Sequence, residues 1–340
     1  MKALILVLAG GFASIAHSQA PADPYAAAVD MTRASDPALR RRGADELSRS
    51  RNPGAAAVLE GLLADKAPFV RAAAADSLGQ LRSRGSSAKL SALVASDPDP
   101  RVRQQAVTAL AFLSDPASAP ALIAALKDAS VPVRFAAVRT LGVLRAPGAA
   151  GPLGELLKDP DASMRRIAAS SLGMLSSSAS TPALTEALAD QDEGVRAEAA
   201  KGLGLSGDPS AKPALQRAVA DAAVLVRLEA AAALGRLGDA GGLDAAISAL
   251  KDRDASVRQK AAGVIALAGD AKKGFPALDA ALKTETDAAV KSVIDGAKAQ
   301  LLARLGLKEA PAVAVPAKPS PKKASPRPKP KTNPAPGRKP

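Results

Sequence analysis

Asp159-Pro160-Asp161-Ala162-Ser163-Met164-Arg165-Arg166-Ile167-Ala168-Ala169-Ser170-Ser171-Leu172-Gly173 is one copy of a pattern that decides the architecture of this 340-residue chain. An acid-rich turn leads into an apolar–Arg pair, with Ala three residues after the Arg and Leu seven after it. The pair recurs at Val70-Arg71, Val102-Arg103, Val133-Arg134, Val195-Arg196, Val226-Arg227 and Val257-Arg258. Leu39-Arg40 precedes the series and Val290-Lys291 follows it. From Arg71 to Arg258 the arginines step by 32 residues and then, every time, by 31. A fixed period of this size is the mark of supersecondary units stacked into a solenoid.

Each unit reads as two helices. In Thr181-Pro182-Ala183-Leu184-Thr185-Glu186-Ala187-Leu188 the proline marks the start of a first helix. The turn Asp190-Gln191-Asp192-Glu193-Gly194 then supplies capping acids, and a second helix enters at Val195-Arg196 and closes near Gly204. Counting from the Arg as zero, position +3 is Ala in seven successive units and position +7 is Leu, or Ile265 in the last. Positions −1, +3 and +7 share one stripe of a 3.6-residue helix, which must be buried. The expected fold is all-α: a right-handed α-solenoid of about nine stacked helix pairs. Hydrophobic residues are 47% of the chain but aromatics only 2%, so the core must be built from Ala, Leu and Val. Small side chains bury little area each, and stability must accumulate over many similar interfaces.

The ends differ from the middle. Residues 1–20 read as a secretory signal: Lys2, the apolar run Ala3–Ala16, and Ser18-Gln19-Ala20 as a small-x-small cleavage site after Ala20. The run is too short to cross a bilayer, so no transmembrane anchoring is expected, and the protein is expected in the periplasm or secreted. The solenoid should occupy residues 21–308. Residues 309–340 read as a disordered basic tail, with ten prolines from Pro311 to Pro340 around Lys318, Lys322, Lys323, Arg327, Lys329, Lys331, Arg338 and Lys339. Removing these eight charges from the chain's formal +13 leaves +5 for residues 1–309. Extended at ~3.1 Å per residue, the tail would reach on the order of 90 Å and adhere to anionic polymers or lipid headgroups.

Two sets of positions are candidates for function or structure. An Asp stands six residues before the Arg in seven consecutive units, giving the pairs Asp65/Arg71, Asp97/Arg103, Asp128/Arg134, Asp159/Arg165, Asp190/Arg196, Asp221/Arg227 and Asp252/Arg258. Stacking sets acids and arginines in parallel rows. An anion-binding row of arginines is one reading; an Asp–Arg ladder between neighbouring turns is the simpler one, since every unit carries both partners. Thr284 and Lys291 replace the two in the following unit and end the ladder there. The second set points away from the buried stripe. Position +9 is Gln80, Phe112, Val143, Met174, Leu205, Arg236 and Leu267 in turn, apolar in four consecutive middle units. With Phe135 at +1 and Ile167 at +2, these residues outline a shallow peptide groove on the concave face. The alternative is that +9 tucks against neighbouring helices. Arg40-Arg41-Arg42, Arg49 and Arg51 read as the solvated face of an N-terminal cap.

The Asp159–Gly173 stretch resembles the short HEAT-like repeats of the phycobilin-lyase type, over about residues 31–305. The resemblance implies the helical solenoid and brings enzymes into view. Deoxyhypusine hydroxylase uses His-Glu pairs to hold iron, but the single His here, His17, lies in the predicted signal, and there is no Cys. A His-ligated metal, a Ser-His-Asp triad and a Cys-His pair are excluded together from the mature chain. Phycobilin lyases are expected inside photosynthetic cells, against an export signal. HEAT-like DNA glycosylases use aromatic residues in the groove, whereas Trp is absent and Tyr25 is the only Tyr. The expectation is a non-enzymatic, cofactor-free scaffold for a protein or peptide. Nucleic-acid association, which needs cytoplasmic residence, and a lyase-accessory role remain the alternatives.

Overall fold

The computed structural model describes residues 23–146 and 148–307. The predicted signal and the basic tail therefore lie outside the described residues. Among those described, the chain forms eighteen α-helices in nine pairs and no strand. The pairs are α1 (Pro24–Thr32) with α2 (Pro37–Ser50), α3 (Ala55–Leu62) with α4 (Pro68–Gln80), and α5 (Ser87–Ser96) with α6 (Pro100–Leu113). Next come α7 (Ala119–Ala125) with α8 (Val131–Val143), α9 (Ala150–Glu155) with α10 (Ala162–Met174), and α11 (Thr181–Ala187) with α12 (Glu193–Ser206). The last are α13 (Lys212–Ala218) with α14 (Val224–Arg236), α15 (Leu243–Ala249) with α16 (Ala255–Ala268), and α17 (Gly274–Thr284) with α18 (Ala288–Arg304). Each second helix packs on its own first helix and on the second helices before and after it.

The buried stripe follows the repeat. Ala74, Ala106, Ala137, Ala168, Ala199, Ala230 and Ala261 are fully buried, as are Leu78, Leu110, Leu141, Leu172, Leu203, Leu234 and Ile265. Burying each of those leucines is worth roughly 1.5–3 kcal/mol. Glycine permits the helices to meet closely. A Cβ on Gly173 would stand 2.7 Å from Gly202 Cα, and one on Gly204 would stand 2.7 Å from Ala233 Cα.

The second helices begin about three residues before the Arg, so the apolar–Arg pair lies inside the first turn rather than opening it. Their N-caps include Asp36, Asp99, Asp161, Asp192, Asp254 and Asp287, each accepting from a backbone amide in the first turn. The Asp six residues before the Arg is thus not needed to N-cap the second helix. At the other end, position +11 is left-handed in seven units: Arg51, Arg82, Ser114, Arg145, Ser176, Gly207 and Gly238. The apolar core divides once. One cluster runs from Ala28 to Leu234 and another from Leu228 to Leu301, so both share only α14.

Candidate functional site

The ladder arginines reach forward to the next unit. Arg71 Nε donates to Asp97 Oδ2 at 2.7 Å and Nη2 to Oδ1 at 2.8 Å, a two-pronged pair. The same fork joins Arg103 to Asp128, Arg165 to Asp190 and Arg196 to Asp221. The remaining Nη1 turns back to the carbonyl oxygen of the Asp six residues earlier, at 2.9 Å from Arg71 to Asp65. Each Asp also accepts from the amide two residues on, as Asp97 does from Asp99. All the groups of a rung are therefore answered inside the protein, and these side chains are largely buried. They are not a free anion-binding row.

The carboxylates titrate accordingly. The Arg40 guanidinium holds Asp65 below its ordinary value, and Arg103, Arg165 and Arg196 do the same for Asp128, Asp190 and Asp221. At Asp97 burial works upward, but the Arg71 hydrogen bond and the Asp99 amide together outweigh it.

The ladder departs from expectation at both ends and at two places within. It begins one unit earlier, where Arg40 pairs with Asp65 at 2.6 Å, so Arg40 is not merely a solvated cap residue. It ends one rung later. Thr284 does not close it, because Glu285, one residue on and one methylene longer, takes both prongs of Arg258. That contact, with the Asp287 amide, pulls Glu285 down to about 2. Arg134 and Asp159 do not pair, nor do Arg227 and Asp252; each Arg keeps only its bonds to turn carbonyls. Each break falls at an irregular unit. Before Asp159 the first helix is the shortest of the nine and closes in a tight 3-10 turn, Leu156–Lys158. Beyond Arg227, position +6 is Val264 instead of a smaller residue, and Gly235 meets Ala268, one helical turn further along.

The four middle +9 residues are exposed, whereas Leu267 packs partly against the C-terminal core. Phe112 is 49% exposed, Val143 59%, Met174 37% and Leu205 39%. Only part of the anticipated groove gathers into one place. Phe135, Val143 and Ile167 line a concavity of about 420 Å³ across α6, α8 and α10, with Gln104, Thr108 and Arg139. Phe135 and Ile167 also wall a second concavity of about 240 Å³ toward α12, with Ser163, Arg166, Ser170 and Glu198. Phe112, Met174 and Leu205 lie outside both linings. They sit at the C-terminal ends of their helices, where Phe112 leans over Gly79 of the preceding unit.

A further concavity of about 510 Å³ lies across α2, α4 and α6, with Phe69 over Ala72 and Ala73 and Arg41, Asp45, Asp76, Asp99 and Arg101 around it. Phe69 is 48% exposed and occupies position −2. Position −2 lies on the same helical side as +5 and +9, but it does not repeat, since Arg101, Pro132, Ser163 and Gly194 stand there in the following units.

Helix pairs of this size, stacked by their second helices and tied by turn-to-turn ion pairs, define the class of short α-helical repeat solenoids. The chain belongs to the HEAT-repeat family, whose profile matches residues 25–111, 87–169, 150–227 and 216–297. Among solved structures it is similar to an engineered protein, at 22% identity over 82% of this chain and 88% of that one, with a TM-score of 0.50. It is also similar to YibA of Escherichia coli, at 21% identity over 81% and 91% of the two chains and a TM-score of 0.47. A third is the CpcE–CpcF complex of phycocyanin lyase from a Nostoc species, at 20% identity over 73% and 94% and a TM-score of 0.43. Among curated proteins none matches the chain in sequence.

Proposed function

We propose that this protein is an exported, non-enzymatic scaffold that binds a protein segment along the inner faces of its second helices. The observation that carries the reading is the pair of concavities sharing the Phe135–Ile167 wall, with exposed Val143 in the larger one and exposed Phe112, Met174 and Leu205 outside both. Exposed apolar surface in a shallow groove gains most by covering an extended or helical peptide. In this proposal residues 1–20 direct export, and the basic tail from residue 309 tethers the scaffold to anionic polymers or lipid headgroups.

The test is selection of displayed random peptides on the full chain and on a Phe135→Asp variant. Peptides enriched on the former and absent from the latter support the groove. Equal enrichment on both removes it.

A further inference from the structure

Some cations elsewhere on this side of the solenoid stand beside carboxylates, although among the described residues Arg101 and Arg236 make no ion pair. Lys201 stands 3.4 Å from Glu198, Lys260 is paired with Glu229, and Arg41 lies 3.9 Å from Asp45. The Phe135–Ile167 wall is distinguished by carrying two arginines of the latter kind around exposed apolar surface. Arg139, on α8, borders the larger concavity, and Arg166, on α10, borders the smaller one. Both are exposed, and among the described residues neither guanidinium has a carboxylate within ion-pairing distance. The only acid lining either concavity is Glu198, which Lys201 already engages. Gln104, Thr108, Ser163 and Ser170 add polar groups but no negative charge.

Resting on the groove reading above, we infer that the occupant is an acidic peptide: an apolar side chain seated on Phe135 and Ile167, with a carboxylate on each side for Arg139 and Arg166. The two guanidinia stand on neighbouring helices on opposite flanks of one apolar wall. Consecutive second helices lie roughly 10 Å apart and the two positions differ by about one helical turn along the axis. Carboxylates a few residues apart on one segment span that gap, and each meets a planar fork suited to two-pronged recognition. The same charges repel the chain's own Lys- and Arg-rich tail. A polyanion without apolar groups would use the arginines and leave the wall uncovered.

Selection of displayed peptides of about twelve residues on the full chain tests this, with Arg139→Glu/Arg166→Glu and Phe135→Asp variants in parallel. All three proteins carry the same tail, so peptides captured by the tail enrich equally on each. The expected result is an apolar residue flanked by Asp or Glu on the parent chain, lost on Phe135→Asp and exchanged for Lys or Arg on the double Glu variant. A labelled synthetic copy should then bind Arg139→Gln/Arg166→Gln about tenfold more weakly and weaken as salt is raised. Both arginines are exposed, and melting by circular dichroism checks that the variants fold. Peptides that need Phe135 but show no acidic bias overturn the acidic partner and leave the groove standing. If no peptide is enriched in a Phe135-dependent way, this inference and the groove are overturned together.

Discussion

Arg71 and Arg134 occupy the same repeat position with different partners. Arg71 makes a two-pronged pair with Asp97, whereas Arg134 holds only the carbonyls of Asp128 and Ala129. Removing Arg71 strands a largely buried carboxylate, which should cost on the order of 2 kcal/mol. Arg134→Ala strands none and should cost less than about 1 kcal/mol. Urea midpoints at unchanged slope make the comparison, and equal losses would mean that the forks contribute nothing beyond the turn bonds. A second contrast concerns the left-handed position +11. Arg82 sits there at φ 51 and Gly207 at φ 70, the latter with open space around it. Replacing Gly207 with Ala should destabilise by about 1 kcal/mol, and Arg82→Gly should stabilise by roughly 0.5 kcal/mol once the freer unfolded chain is counted. If both substitutions shift the midpoint the same way, backbone strain is not the controlling term at this position.

At the scale of the helix pair, the last rung gives the clearest pH dependence. Glu285, just beyond α17, has an ordinary value of 4.5 and is held at about 2 by Arg258. Its folded value is depressed, so its contribution is fully present above the unfolded value and is lost as pH falls through the folded one. The ladder aspartates are lowered in the same sense. Melting temperature should therefore fall from about pH 5 downward, and Glu285→Gln should flatten that fall between about pH 4.5 and 2. An unchanged profile in the variant would remove Glu285 from the acid response. The spacing of Asp and Arg made the rungs legible, because period and pairing chemistry repeat together. What it could not show is which rungs break. Arg134 and Arg227 have the same sequence separation from their missing partners as Arg165 has from Asp190, and the tight turn bond before Asp159 recurs before the paired Asp128, Asp190 and Asp221. The exposure of Phe112 and Met174 was a matter of helix face and could be read in outline. The concavity at Phe69 was not, because position −2 varies from unit to unit and carries no repeating signal.

Across the whole molecule, a solenoid is as strong as its weakest junction, since each unit touches only its neighbours. The α14–α16 junction lacks a rung and adjoins a break in the core. Arg227 and Asp252 make no rung, and the apolar core divides within α14 itself, whose Leu228, Ala231 and Ala232 pack with the C-terminal pairs while Ala230, Ala233 and Leu234 pack with the preceding ones. The α8–α10 junction also lacks its rung, but the core runs through it unbroken. The main polar tie across α14–α16 is Lys260 with Glu229, and Lys260 is more than one-third exposed, so this pair adds little. Beyond that junction the chain is well bound to itself. Arg258 grips Glu285, Lys298 reaches Asp279 at 2.8 Å, and Arg304 donates to the carbonyls of Ala266 and Gly269. A segment tied internally but weakly docked opens as a unit. Amides of α16, α17 and α18 should thus exchange hydrogen through a shared opening of lower free energy than those of α4 to α12. Exchange measured residue by residue decides the matter: one common free energy along the whole stack would show that the division at α14 does not weaken the molecule. The groove at α8 and α10 lies on the firm side of that division, so its walls stay in place whether or not the C-terminal pairs open.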